Sequence, residues 1–112
     1  METSAETPVT LFARRMKSAR EHSGISQKEL GIRAGIDEYC ASARINQYER
    51  GKHTPDFLTT QNLAKVLKVP TAYFFAEEDC LAELIVTFGH LKTSDRESLQ
   101  TLASSLSNKL KN

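Results

Sequence analysis

The stretch SQKELGIRAGIDEYCASARINQYERG, residues 26–51, reads as a helix, a glycine turn and a second helix. Ser26 followed by Glu29 is a capping box, which starts the first helix. Leu30 and Ala34 recur at i, i+4 as its apolar face, and Gly35 stands where a left-handed glycine ends a helix. In the second helix Ile45 and Tyr48 supply the buried side, leaving Arg44, Asn46, Gln47 and Arg50 pointing outward. Two short helices joined through a glycine, the second with amide and guanidinium groups on its free face, form a frame suited to a DNA major groove.

Upstream, Thr7-Pro8 is a helix entry, with Thr as N-cap and Pro at the first helical position. Val9, Phe12, Met16 and Ala19 then make one apolar stripe of a helix ending near Ser23-Gly24; Arg14, Arg15 and Lys17 lie on other faces, as solvated surface or, alternatively, approaching phosphates. Residues 1–7 are polar and aperiodic, a frayed tail. Downstream, Pro55-Asp56 opens a helix running to about Leu67, with Phe57, Leu63, Ala64 and Leu67 inward. Val69-Pro70-Thr71 breaks the chain, and Ala72–Phe75 form a short helix whose aromatics close the core.

Past an acidic linker, Glu77-Glu78-Asp79, two further helices are expected. Leu81, Leu84, Ile85 and Phe88 form the stripe of one. The other starts at Thr93-Ser94, where Ser94 and Glu97 have capping-box spacing, and carries Leu99, Leu102, Leu106 and Leu110. An appendage this small cannot bury both stripes alone, so they pack on each other, on the preceding domain or on a second chain. A dimer through Leu81, Leu84, Ile85, Phe88, Leu99, Leu102 and Leu106 is the favoured reading; a monomeric hairpin is the alternative.

Composition bounds what else the chain can be. Its 39% hydrophobic and 26% charged residues are those of a globular domain, and no apolar run approaches the ~18 residues of a membrane span. METSAETPV lacks a basic-then-apolar signal. Cys40 and Cys80 lie far apart and make no C-x-x-C, so neither a disulfide nor a zinc framework is expected, and the expected compartment is the reducing cytoplasm. The net charge of +1 divides unevenly: residues 1–68 hold 11 Lys/Arg against 8 Asp/Glu, residues 69–112 hold 4 against 6. The positive half is the one that contains residues 26–51, and nucleic-acid binding needs a basic face, not a strongly basic chain.

SGISQKEL, the AGI turn, INQYERGK, TPDF and LAKVLKVP together resemble the Cro/repressor (XRE-type) helix-turn-helix regulators of bacteria and phages, over roughly Pro8 to Phe75. The resemblance implies an all-α, lambda-repressor-like five-helix DNA-binding domain over residues 8–76, with residues 77–112 a two-helix extension. It implies a palindromic double-stranded operator bound by a homodimer, with half-sites about 34 Å apart, and repression as the commoner outcome. Helix 3, about residues 41–50, would lie in the major groove. Gln47 pairs bidentately with adenine and Arg44 with guanine, with Asn46, Ala43 and Ser42 as further base contacts. Gln27, Lys28, Arg50, Lys52 and His53 are the phosphate contacts, which position without specifying. By the same resemblance Gln27 also braces helix 3, and Arg20 and Glu49 form a largely buried ion pair that sets the angle between helices 1 and 3.

Three departures accompany the resemblance. Gly31 stands where the family usually has alanine, though either residue is small enough for close helix crossing; Thr60 stands where it usually has leucine. From Gly35 to Ile45 the spacing is ten residues instead of six, with Asp37–Cys40 as the extra four. These either lengthen helix 3 at its N-terminus or bulge as a loop.

No enzymatic site is expected. His22, His53 and His90 have no partner at metal-ligand spacing, and no G-x-S-x-G, P-loop or G-x-G-x-x-G occurs, so no catalytic residue, cofactor or metal is assigned. A rival reading is an antitoxin-like or adaptor protein that holds a protein partner on the C-terminal leucine stripes. Cys40, four residues before Arg44, is either a redox-sensitive thiol beside the reading helix or an inert packing residue.

Overall fold

The computed structural model describes residues 6–111, and among them every regular element is helical. The elements are α1 (Pro8–Ser23), α2 (Gln27–Arg33), α3 (Glu38–Glu49), α4 (Phe57–Leu67), a 3-10 helix (Thr71–Phe75), α5 (Asp79–His90) and α6 (Thr93–Lys111). The fold is all-α, as expected. Most of the expected frayed tail lies outside the described residues; within them, Glu6 binds Arg14 at 2.8 and 3.0 Å.

Helix boundaries follow the local chemistry. The Thr7 hydroxyl accepts the Thr10 N–H at 3.1 Å to cap α1, and Gly24, at φ +73°, closes it by donating to the carbonyls of Arg20 and Glu21. Ser26 caps α2 by accepting the Glu29 N–H at 3.0 Å, while the Glu29 carboxylate turns to Arg33 at 2.6 Å. Gly35, at φ +92°, makes the turn out of α2. Asp56 caps α4.

Phe12, Met16 and Ala19 of α1 meet Leu30 and Ala34 of α2, Ile45 and Tyr48 of α3, Leu63, Ala64 and Leu67 of α4, and Phe74 in one core. The Phe12 and Phe74 rings lie 5.0 Å apart. Burying this contiguous apolar surface is the main force holding α2 and α3 against α1.

Three expectations are corrected. Phe57 is 66% exposed rather than inward. It rides on the first turn of α4, beyond the edge of the core, and the buried stripe begins only at Thr60, whose hydroxyl donates to the Asp56 carbonyl at 2.8 Å. Arg15 is not on a solvated face: it is buried, with its guanidinium donating to the Ala76 carbonyl at 2.7 and 3.1 Å, pairing with Asp79 at 2.9 Å and lying over the Tyr73 ring. Its long stem suits this position, packing along α1 while the head reaches the chain leading into α5. Ser94 does not cap α6, because the helix already includes Thr93 and the Lys92 carbonyl accepts from Asp95 and Arg96.

The C-terminal helices differ in attachment. α5 rests on the 3-10 helix and buries Ala82, while Leu81 and Leu84 stay exposed and Ile85 and Phe88 are half-buried. α6 is held at its start by Arg96, which donates to the carbonyls of Phe88 and Gly89 at 3.0 and 2.8 Å. Leu99 is half-buried, and every residue from Gln100 to Leu110 is exposed.

Candidate nucleic-acid interface

The four extra residues after Gly35 form a helical turn, not a loop. The Asp37 carboxylate accepts the Tyr39 N–H at 2.8 Å, and α3 runs unbroken from Glu38 to Glu49. As the N-cap, Asp37 sets its charge against the free N–H groups and positive end of the helix. α3 therefore begins about three residues before the expected position 41.

The lengthened α3 lies hard against α2. A methyl group built on Gly31 would stand 2.7 Å from the Ala41 Cβ and 3.0 Å from its backbone. Ala41, the first residue after the added turn, occupies the space that an alanine at position 31 would need. The expectation that either small residue would serve is corrected on this geometry.

A polar network fixes the far end of α3. Arg20 Nε and Nη2 donate to Glu49 at 2.5 and 3.1 Å, and Nη1 donates to the Ile25 carbonyl at 3.0 Å. The Glu49 side chain is 3% exposed and that of Arg20 15%. The hydrogen bonds it donates to Glu49 raise the pKa of Arg20 despite desolvation, so the guanidinium stays charged. Gln27 Nε2 donates to both Glu49 Oε1 at 3.0 Å and Asn46 Oδ1 at 3.2 Å. Both of its amide hydrogens are thereby used inside the protein, where they brace α3, and neither is free for a phosphate.

With Ala41, Ile45 and Tyr48 turned to the core, the opposite face of α3 is free. At 3.6 residues per turn, Tyr39, Ala43, Asn46 and Arg50 fall in one central row on that face. Ser42 and Gln47 flank the row. Ser42, Ala43, Arg44 and Arg50 are exposed, and Asn46 and Gln47 are half-buried. Arg44 stands off the row: it is three residues from Ala41 and four from Tyr48, so it borders the buried side. Gly51, at φ +72°, turns the chain into a loop that exposes Lys52 and His53; the Lys52 N–H donates to the Gln47 carbonyl at 2.9 Å. Lys28 is exposed in the first turn of α2.

Sequence reading singled out every one of these groups except Tyr39, which it placed only within the insertion. Its signal, an aromatic inside a polar stretch, has meaning only in a helix, where it fixes the face on which the ring stands. Cys40 and Cys80 are both exposed, so Cys40 is not a packing residue. Among the described residues no cluster of His, Cys, Asp or Glu could hold a metal ion, and no helix is long and apolar enough to cross a membrane.

No curated protein matches the chain. The crystal structure of the transcriptional regulator BswR is similar at 45% sequence identity and a TM-score of 0.77, over 83% of this chain and 92% of that one. The helix-turn-helix domain family matches residues 13–79, from the middle of α1 to the start of α5. The chain is a member of the XRE-like helix-turn-helix family.

Proposed function

We propose that this protein is a sequence-specific DNA-binding transcriptional regulator that works as a homodimer, represses, and places α3 in the major groove of a palindromic operator. The observation that carries the reading is the contrast between the two faces of α3. Its inner side is locked by the core and by Arg20, Glu49 and Gln27, whereas its outer side holds exposed and half-buried polar groups that lie outside the core. A rigid element with an unpacked polar face suits groove reading, since little ordering remains to be done on binding.

In this reading Asn46, Gln47, Ala43, Ser42 and Arg44 contact base edges. Arg50, Lys52, His53 and Lys28 contact phosphate, while Gln27 acts chiefly through α3. The protein acts by binding rather than catalysis, needs no cofactor, and works in the cytoplasm. Residues 8–76 form the DNA-binding unit and residues 77–112 the dimerisation extension. Similarity to a transcriptional regulator supports the DNA-binding role.

The open stripe on α6 supports a dimer, because Leu102, Leu106 and Leu110 gain nothing from exposure to water. The same stripe favours one second reading, an adaptor that seats a protein partner there. Selection of bound duplexes from a random library, with salt-dependent affinity on the winner, tests the proposal. A palindrome with half-site centres about 10 bp apart is the expected result. Absence of any enriched sequence would transfer the function to the protein-partner reading.

A further inference from the structure

We infer that Tyr39 is a further specificity-determining residue, its ring lying against the 5-methyl group of a thymine at the outer end of the half-site. This rests on the reading that α3 enters the major groove. Tyr39 is 91% exposed, the most exposed of the large apolar side chains, so its ring has almost no partner within the chain. It stands in the central outward row with Ala43, Asn46 and Arg50, not at the helix edge.

Its backbone is held firmly. The Tyr39 N–H is bound by the Asp37 carboxylate, and Ala41 two residues on is packed against Gly31. The ring is therefore projected from a fixed turn rather than from a loose end.

The surrounding charge decides what it meets. No Lys or Arg lies between Arg33 and Arg44, and Asp37 and Glu38 adjoin the tyrosine. That end of α3 is unsuited to a phosphate, which wants a cation, and suited to an apolar contact on a base edge. In the major groove the apolar group on offer is the thymine methyl. Seven residues separate Tyr39 from Asn46, about 10 Å along the helix, or roughly three base pairs. The extra turn thus lengthens the sequence that α3 can read.

The test uses the full-length protein and the duplex that wild type enriches, with each thymine outside the pair read by Asn46 replaced in turn by uracil, which lacks the methyl group. One replacement is expected to weaken wild type and Tyr39→Phe about fourfold, the value of one buried methyl, and to leave Tyr39→Ala unaffected. An enriched site without thymine there, wild type indifferent to every uracil, or Tyr39→Ala as sensitive as wild type would each overturn the inference while leaving groove reading intact. If wild type enriches no sequence at all, the groove reading falls and takes this inference with it.

Discussion

Gln47 and Lys52 lie five residues apart yet are expected to fail differently when removed. Gln47 is half-buried at the flank of the outward face of α3, and its amide can satisfy a donor and an acceptor on one adenine. Gln47→Ala should lose discrimination at particular base pairs, each costing about 1–3 kcal/mol. A binding titration over single-base operator variants checks it; equal weakening on all of them would remove Gln47 as a reader. Lys52 is exposed in the loop after Gly51 and presents a bare charge. Lys52→Ala should weaken every duplex alike and reduce the slope of log affinity against log salt by up to about one unit. A slope that stays the same would take it off the phosphate contacts.

The contact between α2 and α3 poses a question of one element against another. Alanine has the better helix propensity, by about 0.5–1 kcal/mol over glycine. At position 31 the clash with Ala41 decides the sign, because both the side chain and the backbone of α3 stand in the way. Gly31→Ala should destabilise by about 1–3 kcal/mol, the ordinary cost of overpacking. Thermal unfolding measures it, and Ala41→Gly in the same chain should recover part of the loss. An unchanged or raised melting temperature for Gly31→Ala would show that α3 can move away freely, against the rigid crossing described above.

Across the whole molecule, the two C-terminal helices differ in how they are carried. Asp79, at the start of α5, is bridged to α1 by Arg15 and Arg14, at 2.9 and 3.2 Å. Hydrogen bonds from Arg15, then Arg14, hold its carboxyl below the ordinary aspartate range. With the folded pKa below the unfolded one, the contact stabilises fully above about pH 4, the ordinary range of aspartate. That stability is lost as the pH falls through the lowered pKa. Acid below pH 4 should therefore weaken the α1–α5 junction, and Asp79→Asn should remove its share of the pH dependence in acid unfolding. For α6, Leu102→Glu is expected to convert a dimer to a monomer in sedimentation, with the melting of the core unchanged, since Leu102 lies outside that core. A wild type that sediments as a monomer would instead turn attention to a protein partner.

Most of the elements and much of the candidate site are legible in local residue patterns. Caps such as Thr7, Ser26 and Asp56, turn glycines such as Gly24 and Gly35, and stripes such as Phe12, Met16 and Ala19 act within a few residues, so their physics is written locally. The polar face of α3 followed from its period for the same reason. Packing between distant segments made Asp37–Cys40 a helical turn, left no room for a side chain at Gly31 beside Ala41, and buried Arg15 on Ala76 and Asp79. It alone also turned Phe57 outward and left α6 uncovered. Each of these depends on which atoms from distant parts of the chain compete for one volume, and helical period carries no information about that competition.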